Sequence, residues 1–129
     1  GDFRQALPEF DALAAAYRRT SGTASQDALQ CLRQAAYCRA ELGETTTALR
    51  QFQQVLDHVR AAEGDASETA LELRRNIGWL LVSEGATVEA IAELEPLYDD
   101  LCVVHGPDSE EAQEVADVLA RLRLTGGTT

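Results

Sequence analysis

Two interleaved series of glycines cut the chain into equal lengths. One runs Gly1, Gly43, Gly85 and Gly127, the other Gly22, Gly64 and Gly106, and every step in both is 42 residues. A fixed period in this range marks stacked supersecondary units that bury their apolar faces against one another. It argues against a single folded sheet or an enzyme core.

The residues between the glycines give the unit its form. Ala48, Phe52, Val55 and Val59 stand at i, i+4, i+7 and i+11, one apolar stripe along a helix of about five turns. The same stripe recurs as Ala6, Phe10, Leu13 and Tyr17, and as Ala90, Leu94, Leu97 and Leu101, while Gln51, Gln54 and Asp57 face water. Gly22, Gly64 and Gly106 then stop the helix, where a left-handed backbone costs glycine nothing. Ser25, Ser67 and Ser109 follow as N-caps of a second helix, with Asp27, Glu68, Glu110 and Glu111 at its positive end. That second helix carries Ala28, Ala70 and Ala112, then Cys31, Leu73 and Val115, then Ala35, Ile77 and Leu119. Ala36, Gly78 and Ala120 beside them are small enough for close helix approach. The reading is an all-α array of six antiparallel helices joined in hairpins. It runs from an opening helix at about 2–20 to a closing helix at about 109–124, with a frayed tail at 125–129. Because Gly1 stands in the middle of a unit, the chain reads as the end of a longer protein.

Composition narrows the function. The 129 residues suffice for one packed domain, and a net charge of −11 argues against nucleic acid, whose phosphates need a basic face. There is no apolar run near 18 residues and no secretory leader, so neither membrane insertion nor export is expected. Three cysteines without framework spacing suit a reducing cytoplasm. The acidic surface serves solubility and favours basic partners. Every basic residue is arginine, there is no lysine or methionine, and alanine abounds, a bias that points to a GC-rich bacterial genome such as an actinobacterium.

Catalysis finds little support. His58 and His105 lie in different units, and Cys102-x-x-His105 supplies two ligands where zinc needs three or four. Cys31 and Cys38 stand seven residues apart on one helix, about 10 Å along its axis and too far for a disulfide, and align with apolar positions of the other units. They read as small core residues. No nucleophile–base arrangement and no cofactor motif occurs, so neither a catalytic residue nor a cofactor is expected.

The pattern resembles the tetratricopeptide repeat (TPR) in its long, 42-residue form, as in kinesin light chains and many bacterial signalling proteins. The middle unit carries the match in Gly43, Ala48-Leu49, Gly64, Leu71, Asn76-Ile77-Gly78 and Gly85, and the connector His105-Gly106-Pro107-Asp108 matches the family's Gly-Pro-Asp turn. The family's His-Pro step is Ser-Gln or Ser-Glu here, and its asparagine is kept only at Asn76, being Gln34 and Val118 in the other units. The resemblance implies a right-handed superhelical array over 1–124. Its parts are an outer helix of a truncated repeat (1–22), repeats at 23–64 and 65–106, and a closing helix (107–124). HEAT-type hairpins have similar periods. The run Leu94–Leu101 with His105–Asp108 also resembles the C-terminal repeats of actinobacterial serine/threonine protein kinases. No kinase motif lies in the chain itself, so that resemblance implies a catalytic domain elsewhere.

In the family the asparagine-bearing inner helix lines a concave groove. The resemblance therefore implies a protein- or peptide-binding groove lined by Gln30, Arg33, Gln34 and Tyr37, by Glu72, Arg75, Asn76, Trp79 and Ser83, and by Asp117, Val118 and Arg121. An amide such as Asn76 both donates to and accepts from a peptide backbone, and Arg33 and Arg75 suit a carboxylate or phosphate. Tyr37 and Trp79 suit a two-ring shelf. Trp79 is equally open to filling a gap between helices, and Arg75 with Glu72 to being a surface pair. Two rivals to groove binding are a rigid spacer and a homodimer formed through the exposed opening helix at Phe3, Leu7 and Phe10.

Overall fold

The computed structural model describes residues 2–22 and 25–126. Six α-helices account for nearly all of them: α1 (Phe3–Ser21), α2 (Gln26–Glu41), α3 (Thr45–Glu63), α4 (Glu68–Ser83), α5 (Thr87–His105) and α6 (Glu110–Gly126). The 42-residue period holds to the residue. α1, α3 and α5 are each 19 residues long and begin 42 apart, and α2, α4 and α6 also begin 42 apart. α6 runs on to Gly126, so Thr125 and Gly126, assigned to a frayed tail, are helical. The Thr125 hydroxyl donates back to the carbonyls of Arg121 and Leu122. Gly1 and Gly127 to Thr129 lie outside the described residues.

The two glycine series end the helices in two different ways. After α2 and α4 the chain makes a Schellman turn. The Glu44 N–H donates to the Arg39 carbonyl at 2.8 Å and Gly43 N–H to Ala40 at 3.1 Å, and the Ala86 and Gly85 amides repeat this on Leu81 and Val82. After α1 and α5 the stop is not the left-handed helical conformation expected. Gly22 (φ 98°, ψ 160°) and Gly106 (φ 95°, ψ 150°) combine positive φ with extended ψ, a region essentially closed to residues with a Cβ. Each donates its N–H to the carbonyl four residues back, Arg18 or Cys102, and then turns the chain toward the next serine. Those serines cap as expected: the hydroxyls of Ser25, Ser67 and Ser109 accept from the amides of Ala28, Ala70 and Ala112 at 3.1, 3.1 and 3.2 Å. Pro96, inside α5, removes one helical hydrogen bond, but it and Ala92 are exposed, where water replaces the lost donor.

The chain divides into two compact units, Gly1–Ala61 and Ala62–Thr129, the division falling in the last turn of α3. In the first, Arg39 on α2 holds three helices together. It forks onto Asp11 of α1 at 2.6 and 3.0 Å and donates to Gln51 of α3 at 3.0 Å, with Glu44 3.9 Å away. Two bonds in one plane make this a strong, charge-assisted contact. Buried Ala28, Ala35, Ala36, Cys38, Ala48, Phe52, Val55 and Leu56 form the apolar content. The expected stripe of α1 is not buried. Ala14 is the only buried residue of that helix, Ala6, Phe10 and Tyr17 are half-buried, and Leu13 is 45% exposed.

The second unit packs Leu71, Leu94, Leu97, Leu101, Ala112, Val115 and Leu119 into one cluster, flanked by Trp79, Val82, Ile91, Tyr98, Val118 and Leu122. Gly78 brings α4 and α5 together: a Cβ built there would stand 2.4 Å from Leu94 Cδ2. The small repeated position is therefore a contact requirement in this unit. Arg74 is buried here too, at 3% exposure, donating to the Asp65 carbonyl at 2.7 Å and to the Asp100 carboxylate at 2.6 Å. A buried guanidinium persists only when so paired.

Candidate binding faces

The inner helices α2, α4 and α6 bury one flank and leave another in water, and the family-derived candidates lie on the latter. Along α2, Gln30, Arg33, Gln34 and Tyr37 are spaced i, i+3, i+4 and i+7, which places them on one face. Gln30 is exposed, Arg33 and Gln34 are half-buried, and Tyr37 is 48% exposed. The Tyr37 ring stands edge-on to Phe3 of α1, centroids 5.8 Å apart, so its neighbour within the unit is another aromatic ring.

α4 repeats the spacing. Glu72 and Ser83 line the same flank, with Arg75, Asn76 and Trp79 half-buried between them. Trp79 packs part of its ring on the second unit's core, which meets the gap-filling reading halfway. The Ser83 hydroxyl donates to the Leu80 carbonyl at 2.8 Å, inside its own helix, and so has its proton already placed. On α6, Asp117 and Arg121 are exposed and Val118 rests on the core.

The structure adds partners that the spacing did not show. Glu72 and Arg75 line a polar notch of about 160 Å³ with Glu68, His105 and Glu111 over a floor of Leu71 and Leu101. The His105 Nε2 lies 2.8 Å from Glu68 Oε1, joining the last turn of α5 to the first turn of α4. His105 thus belongs with the inner-helix residues, not with a cysteine–histidine pair. A second hollow of about 360 Å³ lies between α5 and α6, lined by Glu95, Tyr98, Asp99, Ala116, Leu119 and Arg123. It is spanned by an Arg123–Glu95 ion pair at 2.6 Å.

Burial is the main cause that pushes Cys31 and Cys38 up from the usual thiol range, helped by Asp27 beside the first and Asp11 beside the second. Among the described residues all three cysteines are free, no cluster suits a metal ion, and no helix is long and apolar enough to cross a membrane.

No family model matches the sequence, and no curated protein matches it significantly. Solved structures do. Two crystal structures of a putative kinesin light chain of Podosopora anserina with nearly identical TPR-like repeats, one of them a substituted form, match with a TM-score of 0.85 at 16% identity. The match covers 98% of this chain and 60% of each of those, so this chain spans about three-fifths of their length. Likeness at that identity is likeness of fold. The fold of this chain is an all-α solenoid of TPR-like helix hairpins.

Proposed function

We propose that this chain is a non-catalytic interaction module that holds an extended peptide segment of a partner protein against its inner helices. The observation that supports this most is the recurrence of accessible, chemically suited side chains at matched positions. Gln34 and Asn76 stand 42 apart, as do Tyr37 and Trp79, and all four reach solvent from helices whose other flank is buried. An amide next to an aromatic ring offers backbone hydrogen bonding and side-chain contact to a chain of loose sequence. The second unit adds a charge preference. Ala62–Thr129 holds 15 acidic residues and four arginines, so a basic peptide is the favoured class.

The module serves a bacterial regulatory protein in the cytoplasm in this reading, with a serine/threonine kinase domain elsewhere. The resemblance of Leu94–Leu101 and His105–Asp108 supports that parent. The reading is tested by selecting a random peptide library on the native chain and on an Asn76→Ala, Trp79→Ala double variant whose helicity is checked by circular dichroism. Basic peptides retained by the first and lost by the second support it. An equal harvest from both moves recognition off these helices, and none from either leaves the module a spacer.

A second reading, self-association, has its own observation. Leu13 is 45% exposed on α1, whereas Val55 and Leu97, at the same position of α3 and α5, are 2% and 0% exposed.

A further inference from the structure

We infer that the outward face of α5 is a second docking surface, one that takes a basic amphipathic helix of a partner protein. It stands apart from the inner helices, and nothing in it rests on recognition by them.

Val88, Ala92, Pro96 and Val103 fall within about 80° around the α5 axis and form a stripe about 22 Å long. All four are exposed, the valines to 78% and 85%. The register turns these positions outward wherever it recurs. On α3, which has two helices before it in the chain and three after, the matched Thr46, Arg50, Gln54 and Ala61 are exposed as well. On α1 the same positions hold Arg4, Pro8, Ala12 and Arg19, also exposed. The core positions of α3 and α5 keep one character, Ala48 with Ala90 and Val55 with Leu97, so packing does not ask for the change outside. Single apolar residues are ordinary on a surface, but of the outer helices α5 alone has no polar residue at these four positions.

The border and the profile of the stripe select its occupant. Thr47 and Gln51 of α3 are replaced by Glu89 and Glu93 along one side, and Gln53 by Glu95 along the other. Asp99 stands within the line itself, and α5 as a whole has five acidic residues and no arginine. Lysines and arginines beside an apolar face complement this border. A second copy of the stripe would bring the same carboxylates against it, and an anionic membrane would add phosphates, so neither fits. The profile is lowest in the middle, where Ala92 and Pro96 let a helix approach closely, and Val88 and Val103 flank the crossing. Pro96 has no N–H to give the Ala92 carbonyl, so an acceptor stands open there for a basic side chain.

Selection from a library of stapled helical peptides tests this, with apolar residues fixed along one stripe and the flanks varied among Lys, Arg, Gln and Glu. The chains are the native one, Val88→Arg with Val103→Arg (the residue type α1 carries there), and the Asn76→Ala, Trp79→Ala variant, each checked by circular dichroism. Peptides with Lys and Arg flanks are expected from the native chain and from the inner-helix variant, and none from the valine variant. A selected peptide should bind Glu89→Thr with Glu93→Gln, the residue types of α3, at least about tenfold more weakly by fluorescence anisotropy. Flanks without a basic preference, an empty selection, or peptides that the valine variant retains overturn the proposal. Loss from the Asn76→Ala, Trp79→Ala variant alone moves those peptides to the inner helices, which overturns this face and upholds the other reading. A native dimer that the valine variant loses on sedimentation assigns the face to a second copy and overturns it too.

Discussion

The two compact units share a repeat and differ in nearly everything the repeat does not require. Gly1–Ala61 carries seven arginines and seven acidic residues, so the whole net charge of −11 resides in Ala62–Thr129. Helix bounds, serine caps and glycine stops nevertheless coincide 42 residues apart. Charge is therefore free to vary over a skeleton set by apolar spacing and caps, which is why it bears on partners and not on fold. Each unit also solves helix clamping in its own way. The first uses a forked arginine, Arg39, at the surface between three helices, and the second buries Arg74 beneath Asp100. The Arg39–Asp11 pair recurs two periods on as Arg123–Glu95, but its arginine is 16% exposed in the first unit and 54% exposed in the second.

Substitutions sharpen this contrast. The largest effect is expected at the buried clamp. Asp100→Ala leaves the Arg74 guanidinium with a single carbonyl and should cost about 2–4 kcal/mol, read by chemical denaturation. Next is Gly78→Ala, whose new methyl group must displace the fully buried Leu94, at about 1–3 kcal/mol despite the better helix propensity of alanine. The matched exchange in the first unit, Ala36→Gly, should cost about 1–2 kcal/mol, from helix propensity and the loss of a fully buried methyl group. The repeated ion pair separates the units further. Arg39→Ala should cost about 1–2 kcal/mol and Arg123→Ala about 0.5 kcal/mol or less, because an exposed single bond competes with water. If the two costs were equal, burial would not be what distinguishes them. The smallest effect is chemical: with its thiol pushed up by burial, Cys38 holds less thiolate at a mildly basic pH than a free thiol. It should alkylate more slowly in the native chain than in denaturant, as mass spectrometry would show.

What the sequence made legible follows from what is local or periodic. The glycine series places the helix ends, the serines announce their caps, and the i, i+4, i+7, i+11 stripes are buried in α3 and α5 as read. The stripe of α1 has the same pattern yet stays half-buried or exposed, and a pattern cannot report how much of a face its neighbours cover. Arg74 was legible only as an anomaly, an arginine where the other units have Leu32 and Ala116. Its partner lies 26 residues away on another helix, a distance that side-chain pairing rules along one helix do not reach. The His105–Glu68 contact is hidden for the same reason. The inner-helix candidates came from family likeness, and the structure gives their accessibility and neighbours.

Recognition by the inner helices can be put to one decisive trial: amide chemical-shift mapping of the isotope-labelled native chain against one basic peptide taken from the library selection. Inner-helix recognition predicts that the shifts concentrate on Arg75, Asn76, Trp79 and Arg121, with the indole signal of Trp79, the only tryptophan, among them. Shifts confined to the exposed outer-helix residues Val88 and Val103, with Trp79 unmoved, would contradict it.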